Sequence, residues 1–362
     1  MAPTRQRAMQ YARRLLPALG MVITAACSDE SPLAPDRAAS APLMAAAGLD
    51  VVSIVALEGF LDAAGNTGEA RDVNDRGQVV GYSSHGVGTR AALWDNSRFP
   101  TELATLGAGS MAEAVSADGA VIVGWSSDGT NNYAVRWVKP AADWVIDALP
   151  YFPTATSCGA SDVSEDGTVI AGECELADGK HVIVWQNGAV RDMGKGYLAG
   201  VTADGVASTR YSPEPTAVIQ SIAGISNPFE PPPATPLGTL GGVRSNAKGY
   251  DAGGSVVGIS SNAAGDDRPF LWNVKKGMVD IGTLAGTTFA IPRAVSGDRI
   301  VGSSHAGSTS YATLWQKGKV VNLGTLPGYE SSAASAISPG GMVAGYSSAA
   351  PGGYRATLWK LK

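Results

Sequence analysis

The residues best suited to chemistry are few and scattered. Histidine occurs three times, at His85, His181 and His305, and cysteine three times, at Cys27, Cys158 and Cys174. Zinc sites gather such ligands at short, regular spacing; here they are spread along the chain, so no metal is expected. Asp75, Asp118, Asp166 and Asp204 recur at intervals and invite reading as an acid–base set. Each stands at a Gly-containing turn between two short apolar runs, where turn formation accounts for it. Residues 262–268 offer oxygen ligands without the alternating acidic pattern of a calcium loop. There is no Ser-His-Asp arrangement, phosphate-binding loop or His-Glu-x-x-His motif. The expectation is a protein that is not an enzyme and carries no cofactor.

Cys158 and Cys174 flank the turn at Glu165-Asp-Gly167 and are symmetric about Asp166. Simple hairpin pairing sets them opposite each other on adjacent strands, within disulfide range. A disulfide is expected, with two separate buried thiols as the alternative.

The elements that must position these residues repeat about every forty-odd residues. One unit reads Ala294-Val-Ser-Gly-Asp-Arg-Ile-Val-Gly-Ser-Ser304, then Tyr311-Ala-Thr-Leu-Trp315, then Val320-Val-Asn-Leu-Gly-Thr-Leu326. Earlier copies begin at Ala70, Ala114 and Asp162, and a later one at Ala336. A degenerate copy over 199–245 keeps Val201-Thr-Ala-Asp-Gly205 but has Ala217-Val-Ile-Gln220 in place of the Trp strand and a Pro-rich insert before Leu237. Asp-Gly between apolar runs makes a tight hairpin. The Gly of Val-Val-Gly marks close strand packing or a bulge. The Trp offers a large apolar surface for the space between units. Four strands per unit, repeated, signify an all-β fold, a β-propeller. The last unit lacks a fourth strand, and 51–57 is a spare strand at the other end. Pairing the two seals the ring. The prediction is seven four-stranded blades closed by an N-terminal strand, or six if the degenerate unit is not a blade.

Glycine numbers 46 and proline 21, apolar residues make up 44% and charged residues 16%, which fits short strands joined by turns. The formal charge is −5. No basic cluster follows the N-terminus, so nucleic acid is not expected as a partner. Residues 1–26 read as a signal peptide: Arg5, Arg7, Arg13 and Arg14 precede a short apolar run ending in Ala25-Ala26. Small residues before Cys27 resemble a bacterial lipobox, which implies lipidation of Cys27. Ordinary cleavage after Ala26 is the alternative. Loss of the four leader arginines takes the charge to −9, so membrane attachment should come only through the lipid. Residues 27–48 read as a flexible tether, and 49–362 as the propeller domain.

The third-strand runs Arg90-Ala-Ala-Leu-Trp94, Tyr133-Ala-Val-Arg-Trp137, His181-Val-Ile-Val-Trp185, Arg268-Pro-Phe-Leu-Trp272, Tyr311-Ala-Thr-Leu-Trp315 and Arg355-Ala-Thr-Leu-Trp359 resemble the HAF repeat family of exported bacterial proteins. Leu237-Gly-Thr-Leu-Gly-Gly242 and Val256-Val-Gly-Ile-Ser-Ser261 match that family better. The resemblance implies export and repetition and brings no activity with it.

In such a ring the loops between second and third strands share one rim with the connections between blades. That rim would carry His85, Arg90, Tyr133, His181, Asp267, Arg268, His305, Tyr311, Tyr354 and Arg355. It could bind a glycan, a peptide or a small ligand, with an envelope protein or glycan as the expected partner, or be an ordinary wet rim. On the expected inner strands, which otherwise offer small apolar residues, Arg71, Glu113, Asp162 and Arg293 are the groups able to point inward. The reading is a monomeric, exported binding or interaction scaffold, localised to the outer membrane, periplasm or cell surface. The alternatives are a polysaccharide lyase or hydrolase with its site at the propeller mouth, and a purely structural envelope protein.

Overall fold

In a computed structural model the described residues are 51–60, 67–86, 88–152, 154–211, 214–222, 231–349 and 353–362. Cys27, the leader and the tether lie outside them. Among the described residues, 28 strands form seven four-stranded antiparallel sheets, and successive sheets pack side by side into a closed ring. The expected seven-bladed propeller is the fold. Blades 1 to 6 take their four strands in chain order from 68–102, 110–148, 157–195, 197–236, 241–280 and 289–322. Blade 7 combines three strands from 331–361 with Val51–Ala56. That spare strand pairs antiparallel with Gly353–Leu361, placing Ile54 opposite Trp359 and Ala56 opposite Thr357. The degenerate unit is a full four-stranded blade, so the six-blade alternative falls.

The hydrophobic core is a ring of layers, one between each pair of consecutive blades. The Trp of each third strand fills the layer toward the preceding blade: Trp137 against Val80 and Leu93, Trp185 against Val123, Trp315 against Val257, Trp359 against Val301 and Leu314. In five of these Trp residues the indole N–H donates to a carbonyl on the side of that preceding blade, as in Trp137 to Ala104 at 2.7 Å, Trp185 to Pro150 at 2.9 Å and Trp315 to Gly282 at 2.8 Å. Burial and a satisfied polar tip together explain why this position keeps Trp. Between blades 3 and 4, where Trp is missing, Gln220 stands in: its amide donates to the Met193 carbonyl at 3.0 Å.

Other repeated residues serve the same joints. The amide of the last residue of Leu-Gly-Thr-Leu donates to a second-strand Ser of the next blade: Leu240 to Ser260 at 2.9 Å and Leu326 to Ser347 at 3.1 Å. The repeat motif is thus the set of contacts by which one blade holds the next.

Every first strand carries a β-bulge at one shared position, between residues 70 and 72 in blade 1 and its counterparts in the other six. The Gly of Val-Val-Gly faces that bulge. A Cβ at Gly81 would meet the Glu69 carbonyl oxygen, and one at Gly302 the Ile291 carbonyl oxygen. The glycine admits the bulge, and the bulge turns an extra side chain toward the axis.

Candidate functional site

The seven residues left unpaired at the bulges are Arg71, Glu113, Ser161, Ala199, Lys248, Arg293 and Ser335. All seven line one axial cavity of about 590 Å³. The cavity opens past the turns between first and second strands, since Asp75, Ala117, Glu165 and Ala252 also line it. Its size is that of a small-molecule site.

The axis is of mixed character. Ala112 and Ala160 of the first strands face the layers between blades, whereas Ala114, Val115, Ala336 and Ile337 line the cavity, as expected of inner-strand apolar residues. The bulge residues, mostly polar or charged, face inward.

The charges fall into two arcs. Glu113 accepts from Arg71 Nε at 2.9 Å, and Glu69 lies 3.4 Å from Arg71 Nη1. Glu173, from the second strand of blade 3, accepts from Ser161 Oγ at 3.0 Å and from the Leu198 N–H at 2.9 Å. Gly159 lies opposite Glu173 in the ladder and leaves that carboxylate room to reach inward. Lys248 and Arg293 stand on consecutive blades on the other side. Among the described residues neither makes an ion pair or a side-chain hydrogen bond.

Burial opposes the charge of Arg71, but attraction and hydrogen bonding from Glu113, with Glu69 behind, outweigh it and raise its pKa. Glu113 is also raised, because burial there exceeds the pull of Arg71. The two partners thus shift in the same direction. The 2.9 Å contact marks the ionised pair as the state present at neutral pH. Burial lowers Arg293 and Lys248; at Arg293 it outweighs the opposing pull of Tyr346 and Glu69, with Arg71 adding to it, and at Lys248 the charge of Arg293 adds to it. Both side chains are exposed to cavity water by area, yet the channel wall surrounds them, so bulk water solvates them only in part.

Asp72 and Asp162 hold the wall together. Asp162 accepts the N–H of Val163 in its own blade and of Val201 in the next, each at 2.8 Å. Asp72 does the same with Val73 and Val115. Burial pushes Asp72 up to about 6 and Asp162 up to about 7. By area both are only half-buried; their carboxyl heads sit among strand backbones in the wall, which favours the raised values. With both oxygens of each carboxylate held by backbone N–H groups, these two are staples.

Among the rim residues whose side chains are described, none lines the axial cavity. Several are engaged within their own blade. Arg90 pairs with Glu102 at 3.4 Å, Arg268 with Asp280 at 2.8 Å, and Asp267 with Arg244 at 3.0 Å. Arg355 pairs with Glu58. His181 is buried, with Asp192 at 2.9 Å from Nδ1 and Asp178 at 3.0 Å from Nε2. His305 contacts Ser303 Oγ through Nε2 at 2.9 Å and stands beside the Phe289 ring; burial, then Arg293, lowers its pKa. Tyr133 donates to Asp128 at 3.0 Å and stacks obliquely on Tyr151. Tyr354 is 42% exposed and meets Tyr346 edge-on. Tyr311 is half-buried on its third strand, and His85 ends the second strand of blade 1. Cys158 and Cys174 pair across the ladder of blade 3 with Cα atoms 4.1 Å apart and form the expected disulfide.

Of the axial groups, Arg71, Glu113, Asp162 and Arg293 were readable from sequence as inner-strand residues. Lys248, Glu173, Ser161 and Asp72 were not. Lys248 sits in Ala247-Lys-Gly-Tyr250, which lacks the Val-Ser-x-Asp-Gly run that marks the first strands of blades 2 and 3. Glu173 lies on a second strand, and only Gly159 opposite it would have signalled its reach.

No family model and no curated sequence matches the chain. Solved structures do. The β-propeller domain of the Trilobed protease from Pyrococcus furiosus has a TM-score of 0.57 at 10% identity, over 82% of this chain and 96% of that one. That domain has an open Velcro topology, whereas here Val51–Ala56 closes the last blade. The acylaminoacyl peptidase of Pyrococcus horikoshii gives 0.51 at 11% identity, over 82% of this chain and 52% of that one. TolB from Acinetobacter baumannii gives 0.44 at 10% identity, over 76% of this chain and 61% of that one. The chain therefore spans about half the length of the peptidase and about three fifths of that TolB. At such identities the first two likenesses establish the propeller fold and nothing about activity.

Proposed function

We propose that this chain is an exported, lipid-anchored β-propeller that acts as a binding scaffold at the cell envelope, with its ligand site in the axial cavity. The observation that carries the reading is the ring of bulges: seven blades each turn one residue into a single cavity, and six of the seven are polar or charged. A ring built only for stability would gain by filling its axis with apolar side chains.

The leader over 1–26 followed by Cys27, the resemblance to exported repeat proteins and the disulfide, a bond favoured by oxidising compartments, support export. The rim is the weaker candidate surface, because several of its charges already have partners in their own blade.

A thermal-shift screen of the mature chain against envelope glycans, peptidoglycan fragments and peptides tests the site. A ligand at about 100 times its Kd adds about 2.7 kcal/mol. The hit should vanish in Ala117→Trp, which plugs the cavity mouth from an exposed turn, and survive Arg268→Gln on the rim. The opposite pattern would move the site to the rim. Cys27→Ser should shift the protein from the membrane fraction to the soluble one; an unchanged distribution would end the anchor reading.

A further inference from the structure

Among the charged groups that the strands carry into the axial wall, two stand apart. Arg71 is matched by Glu113 and Glu69, Glu173 by Ser161 and the Leu198 N–H, and Asp72 and Asp162 by backbone N–H groups. Lys248 and Arg293 have neither an ion pair nor a side-chain hydrogen bond among the described residues. They occupy the bulge positions of adjacent blades, close enough that Arg293 acts on Lys248. Their ring neighbours are Ala199 and Ser335, too small to cover them.

Two like charges held side by side in a partly desolvated wall repel each other, and the attraction of Tyr346 and Glu69 for Arg293 does not offset its burial. A folded ring would relieve that cost by a Gln or a carboxylate at either position. The arrangement becomes favourable once an anion arrives. A guanidinium binds a carboxylate through paired N–H groups, and an ammonium adds a point charge. Across the cavity, Glu113 and Glu173 present acceptor oxygens from blades 2 and 3. Those carboxylates also disfavour a phosphate dianion as the guest.

We propose that the axial cavity binds a small carboxylic acid, its carboxylate held by Arg293 and Lys248 and its hydroxyl or ammonium donors facing Glu173 and Glu113. The cavity volume accommodates a single sugar acid or amino acid. The proposal rests on the reading of the axial cavity as the ligand site, and the test separates the two.

Isothermal titration and melting curves would be run on the full chain with D-glucuronate, L-alanine, inorganic phosphate and D-glucose at matched ionic strength. Wild type would be compared with Arg293→Gln, Lys248→Gln and Ala117→Trp. Glucuronate or alanine should bind, glucose should not, and phosphate should bind more weakly. Each Gln variant should lose about tenfold or more in affinity, and Ala117→Trp should lose binding altogether. Without ligand, Arg293→Gln should melt a few degrees higher than wild type, because an unmatched charge has been removed; a lower melting temperature would make Arg293 structural and overturn the proposal. Equal binding of glucose and glucuronate, unaffected by the Gln variants and lost in Ala117→Trp, would keep the axial site and reject the carboxylate. Binding retained in Ala117→Trp would reject both. Absence of binding by either acid at tens of millimolar rejects the carboxylate alone and leaves the axial site to the wider screen.

Discussion

Asp72 and Asp162 each tie two blades with one side chain, and their protonation links the ring to pH. Each has a folded pKa above the ordinary 3.8, near 6 for Asp72 and near 7 for Asp162, because burial penalises the charged form. The folded state therefore holds more protons than the unfolded chain between about pH 4 and 7. Stability from these groups is fully present below the unfolded pKa and is lost as pH rises through the folded one. The urea midpoint of wild type should be higher at pH 5 than at pH 8. The difference should be on the order of 2 kcal/mol, allowing for cavity water around half-exposed side chains. Asp162→Asn should remove the larger share of that difference. A midpoint that climbs with pH, or a slope unchanged by Asp162→Asn, would refute the assignment. Asp162 could be read from the sequence because it opens Asp162-Val-Ser-Glu-Asp-Gly167; Asp72 could not, although it is the same position two repeats away. Alternation places residues on one face or the other of a strand, but a bulge resets the alternation. Which side chain reaches the axis depends on that one-residue slip.

At the scale of the strand, the glycine opposite the bulge is the fixed point. An added methyl at Gly302 would run into the Ile291 carbonyl and the Pro292 Cα, both backbone and unable to swing aside. Gly302→Ala should cost at least about 2 kcal/mol in a denaturant melt. A change within about 0.5 kcal/mol would mean that the bulge can relax. In blade 4 the counterpart of this glycine is Ser208, one more departure of the degenerate unit from the pattern. Its Trp is replaced by Gln220, yet the hydrogen bond to the preceding blade survives. The sequence showed Ala217-Val-Ile-Gln220 in place of the Trp strand but not that the Gln220 amide would keep the bond, because a Gln carries no periodic signal. The disulfide was legible for the opposite reason: a hairpin turn sets the register, and register alone puts Cys158 across from Cys174. The pair, 16 residues apart, closes a loop in the unfolded chain worth about 3 kcal/mol in the entropy model. Reduction, or Cys158→Ser with Cys174→Ser, should lower stability by about 2–3 kcal/mol. The denaturant midpoint measured with and without reductant checks this, and equal midpoints would refute it.

At the scale of the molecule, seven equal joints make a ring only if the last one closes. The closing joint differs in kind. Blade 7 takes its outer strand from Val51–Ala56, residues remote in sequence from the rest of the blade. Ile54 packs with Trp359 in the layer between blades 6 and 7, and Leu57, 3% exposed, packs with Trp94 in the layer between blades 7 and 1. Glu58 then reaches both sides of the closure, bonding Arg98 of blade 1 at 3.0 Å and Arg355 of blade 7. The segment therefore covers a sheet edge, fills two core layers and bridges the first and last blades by charge. Burying one side chain the size of Ile54 or Leu57 stabilises by about 1.5–3 kcal/mol, and its removal also bares the edge of Gly353–Leu361 to pairing between molecules. A chain lacking 51–57 should melt well below the parent and self-associate, as sedimentation velocity would show. A synthetic peptide of residues 50–59 added in trans should restore a monomer and most of the lost melting temperature, because the groove it vacates is otherwise complete. Ile54→Asp should mimic the deletion, placing a carboxylate in the layer beside Trp359. If the shortened chain stays monomeric and melts like the parent, the ring is held by its six other joints and the N-terminal strand is dispensable; if it aggregates but the peptide cannot rescue it, the strand is needed during folding and cannot be replaced afterwards.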